Sequence, residues 1–272
     1  MKNADCLAEL VERDAWLDLF DAAPQSVRES LGLVSATIGG MSVLGCRALP
    51  ITELNRAMAV GVERAPSREE LDAAIKWLDA YAMSWALQVA PTTKASAIHE
   101  TLRFEGLAPT GSGWAKFVRT EGAPALEPLD RKVQVEAVGP AVAEMFGATV
   151  AGGFGLPKDC ATWFAVLVDR PSWRCFLATI DGQPVGGGTM FVQGGCAWFG
   201  IEATFPAYRA RGVQQHIIAE QVRAAAAMGA HLQTCETGQP THRDDPGFSS
   251  YRNQERAGFT YAYMRPNYKR TS

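Results

Sequence analysis

Pro206-Ala-Tyr-Arg-Ala-Arg-Gly-Val-Gln-Gln-His-Ile-Ile218 follows a strand-like apolar stretch and opens an amphipathic helix. Its centre, Arg209-Ala-Arg211-Gly212-Val213-Gln214, is a basic, glycine-containing turn that feeds a helix start. The first amides of a helix have no partner inside it, and the aligned peptide dipoles add partial positive charge there. Such a turn offers a row, or a concave nest, of N–H groups to an anion. The stretch therefore reads as a pyrophosphate cradle, and the question becomes which cofactor carries the pyrophosphate. No Gly-x-Gly-x-x-Gly follows a first strand, and no Gly-x-x-x-x-Gly-Lys-Ser/Thr is present, so the dinucleotide and nucleotide motifs do not answer it.

Outward from the cradle, the helix carries Val213, Ile217, Ile218, Val222, Ala225 and Met228 on one face, and Gly229 ends it. Before the cradle lies a meander of three strands, Arg174–Ile180, Pro184–Val192 and Ala197–Thr204, with Asp181-Gly182 as a hairpin turn. A strand at Val133–Ala137 and helices at Pro140–Val150 and Lys158–Val168 precede the meander, the two helices joined by Gly152-Gly-Phe-Gly155. After the cradle helix come a strand at His231–Thr237, a helix at Ser250–Ala257 and a strand at Phe259–Met264.

The first half reads as a helix over Asn3–Ala23, strands at Gly32–Ile38, Met41–Leu49 and Arg56–Val62, and a helix opened by the capping box Ser67-Arg-Glu-Glu70. A strand at Met83–Val89, a helix at Lys94–Glu105 and a strand at Gly113–Arg119 close it. Glu121-Gly-Ala-Pro-Ala-Leu-Glu-Pro128 is Pro-rich and aperiodic, a linker signal. Both halves end on helix, strand, helix, a Gly-containing turn and strand, a weak internal repeat. The first half has no cradle: Arg64-Ala-Pro-Ser-Arg-Glu-Glu70 has no glycine and puts two carboxylates at its helix start, where they would repel a pyrophosphate.

With 272 residues, 47% of them apolar, the chain can bury one large core or two ordinary ones. A net charge of −3 argues against nucleic acid as a partner. No stretch reaches the ~18 consecutive apolar residues that a membrane span needs, and no signal-peptide pattern opens the chain. Cys6, Cys46, Cys160, Cys175, Cys196 and Cys235 form no Cys-x-x-Cys pair and read as reduced thiols, so a cytoplasmic location is expected.

The run from Arg209 resembles the Arg/Gln-x-x-Gly-x-Gly/Ala signature of the GNAT superfamily of acyl-CoA-dependent N-acyltransferases. Arg209 fills the first position and Gly212 the fourth, while Gln214 stands where the pattern has Gly or Ala, so its side chain is expected to point away from the cofactor. The order of elements over residues 132–268 and Asn253-Gln-Glu-Arg-Ala-Gly-Phe259 extend the resemblance. It implies an α/β fold of the α+β type: two GNAT-like domains, each a mixed, mostly antiparallel twisted sheet flanked by helices. Residues 1–120 would be a degenerate copy without the cradle, 121–130 the linker and 131–272 the catalytic copy. The two copies would pack against each other as a pseudo-dimer, so a monomer is favoured over a homodimer.

The resemblance implies acetyl-CoA as cosubstrate, with no metal, and an amine as acceptor. Acetyl-CoA would lie where the strands Ala197–Thr204 and His231–Thr237 splay, with Ala203 and Thr204 pairing with its pantetheine arm like an added strand. Arg209, Arg211, Gly212, Val213, Gln214 and Gln215 would hold the pyrophosphate, and Asn253 would hydrogen-bond the arm. An amine attacking a thioester must lose a proton. Glu202, a carboxylate at the mouth of an apolar strand, is the first candidate base and Glu236 the second. The family's usual tyrosine acid is replaced in register by Asn253, which leaves Tyr251, water or no acid at all. Thr237–Phe248, with His242, Asp244 and Asp245, reads as a solvated loop on the substrate rim. Acetylation of a small-molecule primary amine is the leading expectation. A non-catalytic acyl-CoA sensor and a protein amino-group acetyltransferase are the alternatives.

Overall fold

The computed structural model describes residues 4–91, 98–120, 123, 132–242, 245 and 247–270. In chain order these form α1 (Ala4–Ala22), α2 (Gln25–Leu31), β1 (Leu33–Ile38), β2 (Met41–Cys46), β3 (Arg56–Met58), α3 (Arg68–Tyr81), β4 (Ala86–Gln88), α4 (Ile98–Phe104) and β5 (Leu107–Thr120). They continue with β6 (Gln134–Ala137), α5 (Ala143–Phe154), α6 (Lys158–Ala165), β7 (Trp173–Ile180), β8 (Gln183–Gln193), β9 (Cys196–Thr204), α7 (Val213–Ala227), β10 (Leu232–Gly238), α8 (Ser249–Arg256) and β11 (Thr260–Arg270). Apart from Ala123, the expected linker lies outside the described residues.

The chain forms two compact units: Met1–Lys116 with Thr237–Asp245 and Ala262–Ser272, and Phe117–Glu236 with Pro246–Tyr261. They do not coincide with a division at 120 and 131, because nearly all of the last strand counts with the first unit. Sheet pairing is the reason. In the first unit the strands run β1-β2-β3-β4-β11-β5. β11 pairs antiparallel with β4, Tyr268 opposite Leu87 and Asn267 opposite Gln88. Tyr268 then joins a core of Val43, Leu71, Leu78, Leu87 and Leu102.

That unit also buries charge. Glu9 and Glu12 on α1, Arg56 on β3, Lys116 on β5 and Arg265 on β11 are each 0–1% exposed. Glu12 meets Arg265 at 2.8 Å and Arg56 at 3.4 Å, and also pairs with Lys116. Glu9 accepts from Arg265 at 2.9 Å and from the Tyr263 hydroxyl at 2.7 Å. Burial alone would push the Glu12 carboxyl up; the charges of Arg265, Lys116 and Arg56 outweigh it and hold the group well below its ordinary 4.5.

In the second unit the strands run β10-β9-β8-β7-β6, all antiparallel except β9 with β10. Val213 and Ile217 of the α7 stripe pack on Ala178 and Val185 of this sheet and on Val133, just before β6.

Three elements depart from the sequence reading. α2 was not expected, since Pro24 ends α1; yet Pro24 enters a new helix that buries Val27 and Leu31 one turn apart. β3 stops at Met58 because Ala59 (φ 55°) and Gly61 (φ 75°) turn the chain. α5 runs through the expected Gly-rich joint to Phe154. Gly153 is needed there for close approach: a Cβ on it would come within 2.8 Å of Ala203 Cβ. The two glycines press α5 onto the end of β9 instead of breaking the helix.

Candidate active site

The site grows from an irregularity in β9. Gly187 lies opposite Ala203 and Thr189 opposite Gly200, so Ile201 and Glu202 together face the single residue Gly188. This is a β-bulge, a device that re-aims side chains beside functional sites. Ile201 sits at φ 54°, a left-handed conformation that costs a β-branched residue about 1–3 kcal/mol and persists only where the surroundings impose it. Gly188 makes the room. A Cβ there would lie 2.8 Å from Ile217 Cγ2 and 3.0 Å from Glu202 Cγ. On the other side, β9 pairs with β10 only from Cys196 to Trp198, against Leu232 to Thr234, and the pairing stops there. The expected splay and the bulge thus fall on one stretch of strand.

A cavity of about 490 Å3 opens beside this stretch. Glu202, Ala203 and Thr204 of β9, Arg209, Gly212, Val213, Gln214 and Gln215 of the turn and α7, and Asn253 of α8 all line it. Gly212 stands at φ 78° at the start of α7, Ala210 at φ 59°, and no side chain of the described residues caps the helix. The first amides of α7 therefore have no side-chain cap among the described residues. Arg209 and Arg256 line the cavity as exposed cations, with Arg252 half-buried between them. Arg211 is outside the lining and stacks over the Tyr208 ring at 5.3 Å.

Glu202 is half-buried, and its Oε1 is sealed from solvent with no hydrogen-bond partner among the described residues. Its Oε2 accepts from Gln214 Nε2 at 2.9 Å. Burial raises its carboxyl to about 7, although the amides of Gln214 and Gln221 pull it back. A carboxyl balanced near neutrality can take up or give a proton at cellular pH. The Gln214 side chain does not leave the cavity; it lines the wall and bonds Glu202 and α8.

Glu236 and Tyr251 do not line the cavity. Tyr251 packs edge-on against Phe117, ring centroids 4.8 Å apart. The reason is helical phase. Ser249, Arg252, Asn253 and Arg256 follow at i, i+3, i+4 and i+7 and share the cavity face, whereas Tyr251 points elsewhere. The sequence analysis missed Ser249, Ser250, Arg252 and Arg256; the same spacing was the signal that would have found all but Ser250. Gly153 and Phe154 also line the site, brought there by the continuation of α5.

The first unit closes its equivalent helix start. Ser67 accepts from the Glu70 amide at 3.2 Å and the Glu70 carboxylate accepts from the Ser67 amide at 2.8 Å, a complete capping box on α3. Arg64 also binds Glu70, whose carboxyl is held at about 2. Glu70 takes the place an anion would occupy.

Among the described residues no group of three or more His, Cys, Asp or Glu is placed to hold a metal ion, and no helix is long and apolar enough to cross a membrane. Of the expected loop group, Asp244 lies outside the described residues. Burial pushes the thiols of Cys46 and Cys196 up and that of Cys175 up to about 12, away from thiolate nucleophiles.

No family model and no curated protein matches the sequence. Solved structures do match the fold. A GCN5-related N-acetyltransferase from Kribbella flavida superposes with a TM-score of 0.62 at 16% identity, over 96% of this chain and 94% of that one. A second, from Sphaerobacter thermophilus, gives 0.59 at 14% identity over 84% and 79%. A tandem GNAT protein from the clavulanic acid biosynthesis pathway gives 0.55 at 13% identity over 95% and 93%. Likeness along most of the chain to these structures, a tandem GNAT protein among them, shows that the chain has the fold of the GCN5-related N-acetyltransferases.

Proposed function

We propose that this protein is an acyl-CoA-dependent N-acetyltransferase that transfers acetyl from acetyl-CoA to a primary amine of a small molecule, by direct attack within a ternary complex. The observation that carries the reading is a single cavity whose wall joins an uncapped, glycine-opened helix start to a buried carboxyl with a value of about 7. The first supplies a pyrophosphate site and the second a proton acceptor at neutral pH.

The amides from Gly212 to Gln215 would take the pyrophosphate, with counter-charge from Arg209, Arg252 and Arg256. Ala203 and Thr204 would lie along the pantetheine arm, and Asn253 would hydrogen-bond it. Acetyl-CoA supplies an activated thioester. As the C–N bond forms and the C–S bond breaks, Glu202 would accept the proton that the amine nitrogen gives up, directly or through a water. The departing thiolate takes a proton from solvent. Glu236 stays the second candidate base, although it lies outside the cavity lining. A catalytic copy within 131–272, monomeric and cytoplasmic, completes the proposal.

The position of Tyr251, turned onto Phe117, favours one rival: a protein that binds acyl-CoA without turning it over, because the tyrosine of α8 does not line the cavity. A thiol-release screen with acetyl-CoA against amino acids, polyamines, aminoglycosides and a lysine peptide separates the readings. Turnover with a small amine supports the proposal. Turnover with the peptide alone moves the acceptor to protein amino groups. Tight acetyl-CoA binding without turnover leaves the sensor.

A further inference from the structure

Gln214 is the second residue of α7 and stands where the resembling signature has Gly or Ala. Its carboxamide is fully committed. Nε2 donates to Glu202 Oε2 at 2.9 Å and to Ser250 Oγ at 2.8 Å, and Oε1 accepts from Asn253 Nδ2 at 2.9 Å. Asn253 Oδ1 in turn accepts from Arg256 Nη1 at 3.2 Å. Every donor in this chain points from the Arg256 cation towards the Glu202 carboxyl, so each bond polarises the next. Turning the amide over would set Gln214 Oε1 against a carboxylate oxygen and its N–H groups against the Asn253 donor, so the orientation has one solution.

We propose that Gln214 is the positioning residue of Glu202: its amide ties down Oε2 and so fixes the orientation in which the carboxyl takes up the acceptor's proton. The inference rests on Glu202 being the base. The glycine or alanine expected at this position would leave Glu202 Oε2 without this tether. The other groups around the carboxyl do not take this part. Gly188 on β8 carries no side chain. Gln221 on α7 also bears on the carboxyl, but its Nε2 is shared with Thr189 O at 2.9 Å, and His216 bonds Gly212 O at 2.9 Å. Arg209, Arg252 and Arg256 are the cations on the cavity wall and Tyr208 its other titratable group.

The sign of the effect follows from the donor. An N–H given to a carboxylate favours its charged form, so removing it raises the carboxyl's pKa. Gln214→Met keeps length and volume but has no N–H. Protein labelled with 13C at glutamate carboxyls reads the Glu202 titration directly, the signal being assigned by its loss in Glu202→Gln. In Gln214→Met the Glu202 midpoint should rise by roughly one unit or more, the lower end of what a hydrogen bond to a charged group contributes. The acidic limb of kcat/KM should move up by the same amount. Gln214→Asn, whose amide is one carbon too short to reach Oε2, should shift both in the same direction if Gln214→Met folds poorly. An unmoved NMR midpoint in a folded variant overturns the inference, and lost activity would then reflect packing alone. If the midpoint moves but the wild-type acidic limb persists in Glu202→Gln, the tether stands and it is the assignment of Glu202 as base that falls.

Discussion

Glu12 on α1 and Arg265 on β11 meet at 2.8 Å across 253 residues of sequence, and neither side chain has any exposure. Removing one partner of a buried pair leaves a charge with no water to solvate it, a loss of about 3–5 kcal/mol. Arg265→Met should cost that much in urea unfolding. Glu12 titrates below its ordinary 4.5 in the folded protein, so its contribution is fully present above that value and is lost as pH falls below it. Arg265→Met should therefore show a weaker fall in stability on acidification than the wild type.

Glu202 carries the opposite sign. Its folded value of about 7 lies above the ordinary 4.5, so the folded state loses stability as pH rises from about 4.5 to about 7 and the carboxyl must ionise in place. Glu202→Gln should melt higher than the wild type at pH 8, by an amount of order 1–3 kcal/mol, and show little difference at pH 5. The same variant should lower kcat by roughly 10²–10⁴-fold with acetyl-CoA affinity retained. Near-normal turnover in Glu202→Gln but not in Glu236→Gln would transfer the role to Glu236.

Gly212→Glu should abolish acetyl-CoA binding in calorimetry on a folded protein. Its φ of 78° disfavours any side chain, and a carboxylate at the helix start would repel the pyrophosphate proposed to lie there. Unchanged affinity would show that the turn is not the cradle.

Wild-type titration should give one acetyl-CoA per chain, because the α3 start in the first unit is already closed by Ser67 and Glu70. A stoichiometry of two would contradict that reading.

Gly153→Val should impair activity more than stability alone explains. A Cβ at 153 already comes within 2.8 Å of Ala203 Cβ, on the strand that lines the cavity, so a branched side chain must push β9 aside. Comparable melting temperatures with reduced kcat/KM would bear this out; unchanged kinetics would show that the strand end tolerates the shift.

Local rules carried much of this structure. The α7 stripe from Val213, the capping box at Ser67 and the glycine turn at Gly212 are each decided by a few neighbouring residues, and each is present. What the sequence hid depends on distant partners. α5 passes through Gly152 and Gly153 because β9 lies against them, a contact no helix propensity contains. The bulge at Ile201 and Glu202 exists through pairing with β8, and nothing in Gly-Ile-Glu-Ala announces a left-handed isoleucine. Gln214 could be seen to break the signature, but its three bonds reach side chains 12, 36 and 39 residues away. Tyr251 was chosen for its chemistry, and its place in the helical turn put it elsewhere.

The place of β11 in the first unit has a consequence for synthesis. A chain made from its N-terminus commonly folds its leading domain while the rest is still emerging. Here β4 receives its neighbour, and Glu9 and Glu12 receive Arg265, only when residues beyond 262 have left the ribosome. At ~5–20 residues per second, about 150 further residues impose a wait of roughly 7–30 s with a sheet edge and two carboxylates uncovered. The nascent first half thus stays incomplete through that wait, and loss of the β11 residues would undo the packing of α1 and β4 far back in the chain.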